Sequence, residues 1–325
     1  MKVIEVKNLT KIYRTYEDIN LRKLFQKNLK EIKALDNVSF SINSNEFVGL
    51  IGVNGAGKST LIKILTGILE PTYGEVRVLG NVPTKYRKVN NYRISAVFGQ
   101  RCQLRWDISA IESFKLLKEI YRINDKDFIS RLEFFSELLD ISEIMNRPVR
   151  TLSLGEKMRV ELCAAFLHNP EIVFLDEPTI GLDIFSKEAI LNFLKELKKE
   201  NKVTLILTTH DISDIEEVCE RILILDKGKI IIDGQKNEII NSFNIQSQIL
   251  FIMKKEDIVV PEIVKRFSYQ ISKNRLLINE VPKNYVSQII TEILRENFVV
   301  EMEIKYQDLE EIVKQIYIKE KGNIS

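Results

Sequence analysis

Apolar and polar positions along the chain follow two different periods. Residues 1–13 and 34–51 alternate as strands. Between them, in "RTYEDINLRKLFQKNLKEIK" (14–33), Leu21, Leu24, Phe25, Leu29 and Ile32 fall at helical spacing, with Arg22, Lys23, Lys27 and Lys30 on other faces. From Phe47 to about Leu69 an apolar strand passes through a glycine-rich loop into the helical run "STLIKILTGIL". "PTYGEVRVLG" sets turn residues before a strand. From about Arg101 to His168 the period is helical, ending in "RTLSLGEKMRVELCAAFLHNP" (150–170). "EIVFLDEP" and "KVTLILTTH" are short, nearly continuous apolar runs, as in strands buried on both faces of a parallel sheet. The amphipathic helix "SKEAILNFLKELKKEN" lies between them, and "RILILDKGKIIIDG" reads as two strands around a turn. After about Asn237 small strands and helices alternate. The pattern predicts an α/β domain over 1–237, with a helical portion at about 101–168, and an accessory α+β domain over 238–325.

Two segments carry more than one reading. The 14–33 segment suits a surface helix packed on its own sheet; a basic amphipathic helix on a membrane or partner is the alternative. In 150–170, Ser153 followed by Glu156 fits a capping box, and Asn169-Pro170 ends the helix. His168 suits the C-terminal end of that helix.

Composition narrows the class. The chain has 325 residues, 45% hydrophobic and 29% charged, which is ordinary for a globular protein. A net charge of +2 gives no bulk attraction to nucleic acid. Three scattered cysteines, Cys102, Cys163 and Cys219, suggest free thiols in a reducing cytoplasm. The opening residues lack the apolar core of a signal peptide. No apolar run approaches the ~20 residues that cross a bilayer, so work at a membrane would require another subunit to span it.

The chemistry is concentrated at strand ends. "GLIGVNGAGKST" has Gly52, Gly57, Lys58 and Ser59 in the spacing G-x-x-x-x-G-K-S, between a strand and a helix. Such a loop turns backbone amides toward phosphate oxygens, and the helix N-terminus favours the anion. Lys58 would reach the β- and γ-phosphates, Ser59 would hold Mg²⁺, and Thr60 would assist. In "EIVFLDEP", Asp176 suits the Mg²⁺ shell and Glu177 the attacking water, since adjacent strand residues point opposite ways. His210 follows the second buried strand, at the edge where parallel sheets bind ligands, and suits a γ-phosphate donor.

These residues, over 1 to about 235, resemble the nucleotide-binding subunits of ABC transporters: Tyr13, the phosphate loop, a glutamine loop, "LSLGE", "FLDEP", "GLD" and His210 occur in the family's order. The resemblance implies a P-loop NTPase fold: a RecA-like core, an antiparallel β subdomain and an inserted helical subdomain. It implies ATP and Mg²⁺ as cofactors, with Asn54, Gly55 and Ala56 joining Gly52, Gly57, Lys58, Ser59 and Thr60 around the phosphates. Tyr13 would stack on adenine. Gln100 would touch Mg²⁺ or the attacking water, with Gln103 as its rival. Two subunits would pack head to tail, so that Ser153 and Gly155 of one meet the ATP of the other and Asp183 bridges them. The second copy would be a homodimer partner or a paralogue. The chain departs from the usual family form at Leu154 and Glu156, where glycine and glutamine are usual, and at Gly99.

"FGQRCQLRWDISAIESFKLLKEIYRI" and the C-terminal appendage look most like stand-alone ATPases of type-2 exporters, drug and antibiotic efflux systems among them. The resulting expectation is an ATP-hydrolysing subunit at the cytoplasmic face of the membrane, attached to a separate permease. The alternatives are an importer ATPase, and a soluble ABC ATPase acting on ribosomes or nucleic acid. Lys58, Asp176, Glu177 and His210 together argue against a non-hydrolysing binding module.

Overall fold

The computed structural model describes residues 1–16, 29–99, 102–242, 246–306 and 309–322. The chain divides into two compact units, Met1–Gln235 and Lys236–Ser325.

The first unit opens with a long hairpin, β1 (Lys2–Tyr16) and β2 (Leu29–Asn43). Strand β3 (Phe47–Ile51) leads into α1 (Lys58–Leu65), followed by β4 (Tyr73–Val78), the short α2 (Arg87–Asn90) and β5 (Ile94–Phe98). Three helices follow: α3 (Ala110–Tyr121), α4 (Asp125–Leu138) and α5 (Leu154–Phe166). The unit closes with β6 (Ile172–Asp176), α6 (Ile184–Glu200), β7 (Thr204–Thr208), α7 (Ile212–Val218), β8 (Arg221–Asp226) and β9 (Lys229–Gln235).

Its main sheet has the order β5-β6-β7-β3-β8-β9. The first five strands in that order run parallel, and β9 pairs antiparallel with β8. All residues of β3 and β7 are buried, which explains their unbroken apolar sequences. The carboxyl ends of four adjacent strands, β5, β6, β7 and β3, therefore share one edge, and the loops after them are neighbours. A second sheet, β2-β1-β4, is antiparallel, and its inner face shares a core with α1 and the main sheet.

The structure corrects the two ends of the helix expected over 14–33. Arg14–Tyr16 end β1 and Leu29–Lys33 begin β2, paired from Tyr16↔Leu29 to Ile12↔Lys33. Arg14 and Glu31 form an ion pair across the hairpin at 3.0 Å. Leu29 and Ile32 are three apart, a spacing that does not decide between periods, whereas β1 offers these residues a partner strand to pair with. Leu21, Leu24 and Phe25 lie outside the described residues.

The second unit holds α8 (Lys236–Ser242), β10 (Gln246–Met253), β11 (Ser268–Ser272), β12 (Arg275–Pro282), α9 (Lys283–Glu296), β13 (Val299–Tyr306) and α10 (Leu309–Gly322). Its antiparallel sheet has the order β11-β12-β10-β13, with its own core of Ile249, Phe251, Leu276, Ile278, Ile289 and Ile293. This is the strand order of a ferredoxin-like unit whose first crossover is a single 3₁₀ turn, Val264–Arg266, instead of a helix.

Candidate functional site

The loop between β3 and α1 is built for close approach. Gly57 caps α1 at φ 111°, where a Cβ would lie 2.5 Å from the Ala34 carbonyl oxygen. Gly55, at φ 81°, faces open space. No side chain caps α1 and no acidic residue sits in its first turn, so its leading amides are left for an anion. Ala56 is buried, and its amide donates to Val53 O at 3.0 Å. Lys58 is buried, and its Nζ donates to the Gly52 carbonyl at 2.6 Å. Burial pushes its pKa down, while Glu177 and Asp176 pull it back up.

A cavity of about 500 Å³ opens over this loop, lined by Asn54, Ser59, Lys63, Ile68, Phe98, Gly99, Asp176, Glu177, Ile180 and His210. Asp176 ends β6 and accepts from the Thr208 hydroxyl at 2.6 Å. Glu177 has left the strand: its φ is +58°, and its amide donates to Thr208 O at 3.0 Å and Thr208 Oγ1 at 3.1 Å. Asp176 and Glu177 border the same cavity, and the direction of Glu177 is set by the turn and not by strand alternation. His210 Nε2 lies 2.7 Å from Glu177 Oε1. Thr208 was missed in the sequence, although it stands two residues before His210 in "LILTTHD". Lys63, Ile68, Phe98 and Ile180 were also missed, because helix and strand periodicity places them without saying which cavity they border.

Tyr13 is half-buried on β1, with its hydroxyl 3.4 Å from Thr60 Oγ1 and Lys11 Nζ 5.4 Å from its ring centre. Gln100 lies outside the described residues. Gln103, its rival, donates from its side chain to the Ala96 carbonyl on β5. A Cβ on Gly99 would stand 2.4 Å from the Glu177 carbonyl oxygen, so glycine is what lets β5's exit pass the Glu177 turn.

Ser153 is the N-cap of α5 in a complete capping box. Glu156 N donates to Ser153 Oγ at 3.2 Å, and Ser153 N donates to Glu156 Oε2 at 2.7 Å. Arg147 pairs with Glu156 at 3.0 Å. The Ser153 amide and Arg147 hold the Glu156 carboxyl below the usual carboxylate range. Asp183 caps α6, with Oδ1 accepting from Ser186 N at 3.0 Å and Oδ2 from Ser186 Oγ at 2.6 Å. A Cβ on Gly155 would stand 2.1 Å from Ser186 Oγ, so within one subunit its small size serves the packing of α5 on α6. His168 carries no charge toward a helix end. Burial drives its pKa down to about 4, its Nε2 lies 3.1 Å from Ile94 O, and its ring stacks on Tyr121 at 4.0 Å.

The ABC transporter family profile matches residues 35–180. The ABC transporter ATP-binding protein NatA of Bacillus subtilis is 32% identical over 210 residues, covering 65% of this chain and 85% of NatA. This chain belongs to the ABC transporter ATP-binding family. Methionine import ATP-binding protein MetN 1 of Oenococcus oeni is 30% identical over 267 residues, 77% of this chain and 76% of that protein. A solved dimeric ATP-binding cassette in a post-hydrolysis state, bound to ADP and Pi, is 30% identical. It has a TM-score of 0.61 and covers 71% of this chain and 98% of its own.

This ABC subunit is an ATPase, and ATP and Mg²⁺ are its cofactors. Its residues fit them. The uncapped α1 terminus and the open face of Gly55 leave amides for phosphate, and Ser59 and Asp176 border one cavity. Among the described residues no three His, Cys, Asp or Glu side chains gather into a protein-only metal site. Mg²⁺ shared with phosphates needs only one or two protein oxygens. No described helix is long and apolar enough to cross a membrane.

Proposed function

We propose that this ATPase works as one of a pair of subunits that close around two ATP molecules and drive export through a separate membrane permease. The observation that carries the reading is the convergence of four strand ends on one cavity, which sets Lys58, Asp176, Glu177 and His210 around the place where the loop would hold phosphates. Lys58 leaves the Gly52 carbonyl for the β- and γ-phosphates. Ser59, Asp176 and Gln100 would hold Mg²⁺, which would supply charge neutralisation at the phosphoryl oxygens. Glu177, aimed by Thr208 on its amide and His210 on its carboxylate, orients water for in-line attack and takes its proton. His210 turns its Nε2 toward the γ-phosphate as charge develops there. Tyr13 supports the adenine. Ser153 and Gly155 meet the γ-phosphate of the partner's ATP, and Asp183 joins the two subunits.

The Glu177→Gln variant tests the core of this reading. It is expected to bind ATP normally, to lose roughly 10³-fold in turnover, and to accumulate as an ATP-bound dimer. Normal steady-state hydrolysis would remove Glu177 from its role. Export rests on the resemblance of the long segment after β5 to exporter ATPases. Import is a second reading, favoured by the similarity to MetN 1 over more than the family profile's span. The direction of ATP-driven flux in inverted vesicles containing the co-purifying permease decides between them.

A further inference from the structure

Glu161 is an acidic group in a place that disfavours charge. It lies on α5, about 12 Å along the axis from Ser153 by helix geometry, and is only 4% exposed. Burial pushes its pKa up, against the Cys102 thiol and the amides of Leu104 and Gln103. Its Oε1 accepts from Gln103 N at 2.6 Å and from Leu104 N at 3.0 Å. Its Oε2 is buried with no hydrogen-bond partner among the described residues. An apolar side chain would fill this position at lower desolvation cost, and none of the steps above uses a carboxylate here. What Glu161 supplies is an acceptor for two consecutive amides that would otherwise be unpaired beside a buried leucine, since Leu104 is 4% exposed.

The partners of those amides matter because of where the segment comes from. Phe98 and Gly99 line the nucleotide cavity at the end of β5, and the stretch Gln103–Leu104 further along is tied twice. The Gln103 side chain fastens it to Ala96 of β5. Glu161 fastens it to α5, whose other end carries Ser153 and packs Gly155 against Ser186.

We infer that Glu161 is a positioning residue that locks the segment after β5 onto α5, so that the cavity wall at Phe98–Gly99 and the Ser153 end of α5 move together when the subunits close. This rests on the closed-pair reading given above. In an otherwise natural chain, Glu161→Leu is expected to lower kcat about tenfold with the KM for ATP changed less than about twofold, because the lost link misplaces groups without touching ATP. Glu161→Gln keeps an oxygen acceptor and is expected to restore kcat to within about threefold of the natural value.

Gln103→Pro removes one donated amide from an exposed position and leaves Glu161 in place; its kcat is expected to fall at least about threefold below that of Gln103→Ala. It keeps the test open should Glu161→Leu fail to fold. In a Glu177→Gln background, Glu161→Leu is expected to weaken ATP-dependent dimerisation about tenfold, read by sedimentation, with ATP affinity of the monomer unchanged. Natural kcat in both Glu161→Leu and Gln103→Pro overturns the inference. So does a loss in which kcat, KM and melting temperature fall together, or one that Glu161→Gln does not restore. If Glu177→Gln alone forms no ATP dimer, the closed-pair reading falls, and the kcat-against-KM split still decides whether Glu161 acts on turnover.

Discussion

Helices α1 and α5 both begin beside the residues expected to meet phosphate, yet their N-termini are finished in opposite ways. At α1 the N-cap is Gly57, with no capping side chain and no acidic residue in the first turn. At α5, Ser153 and Glu156 satisfy each other's amides, and Arg147 neutralises the glutamate. A helix start left open keeps an unsatisfied positive end for an anion; a helix start closed by its own side chains is stable alone. The first arrangement leaves amides open at the phosphate loop of the same subunit. On the closed-pair reading proposed above, the second belongs to a surface that holds its shape until a partner's phosphate arrives. On this view the Glu156 of "LSLGE" is the second half of the α5 cap and does not face the ligand.

The comparison can be broken at several points. The largest effect is expected at the open end: Lys58→Ala should weaken ATP binding on the order of 100-fold in a direct titration, since a charge-assisted contact to two phosphates is lost. Unchanged affinity would contradict the assignment of α1's loop. Ser153→Arg comes next. It should leave ATP binding to the monomer within about twofold and abolish the ATP-dependent dimer in a Glu177→Gln background, because the bulk stands where a partner's phosphate must come. A surviving dimer would place Ser153 outside the interface.

Ser153→Ala isolates the cap. It should cost about 1 kcal/mol of stability by denaturant melt, a typical value for an N-cap serine. The smallest effect is at Glu156. Its folded pKa is depressed, so its contribution is present above the ordinary value of 4.5 and is lost as the pH falls through the folded value. Glu156→Gln should therefore be less stable than the natural chain at neutral pH, with the difference closing as the carboxylate is protonated in acid. A difference independent of pH would mean that the charge on Glu156 does not contribute.

Much of this molecule is legible in one dimension where local chemistry leaves few options. Nearly continuous apolar runs such as "IVFLD" and "TLILT" fit best in a sheet covered on both faces, and G-x-x-x-x-G-K-S after such a run leaves the loop little freedom. The capping box at Ser153 is likewise a short-range device, readable from two residues three apart. The 14–33 segment shows the limit. A few apolar residues at helical spacing say nothing about an available strand edge, and Leu29–Lys33 pair with β1 instead. The same limit hid Thr208, whose partners Asp176 and Glu177 lie at and just past the end of a neighbouring strand.

The sequence by itself therefore determined the α/β class, the phosphate loop and the acidic strand end, because each depends on residues within a few positions of one another. Tertiary structure alone decided three further points. Glu177 reaches His210 through a left-handed turn held by Thr208, Gly155 is small because Ser186 lies against it, and Glu161 is an anchor instead of a core filler. Each of these depends on groups brought together from distant parts of the chain, and no periodicity along a single segment encodes which neighbour a side chain will meet.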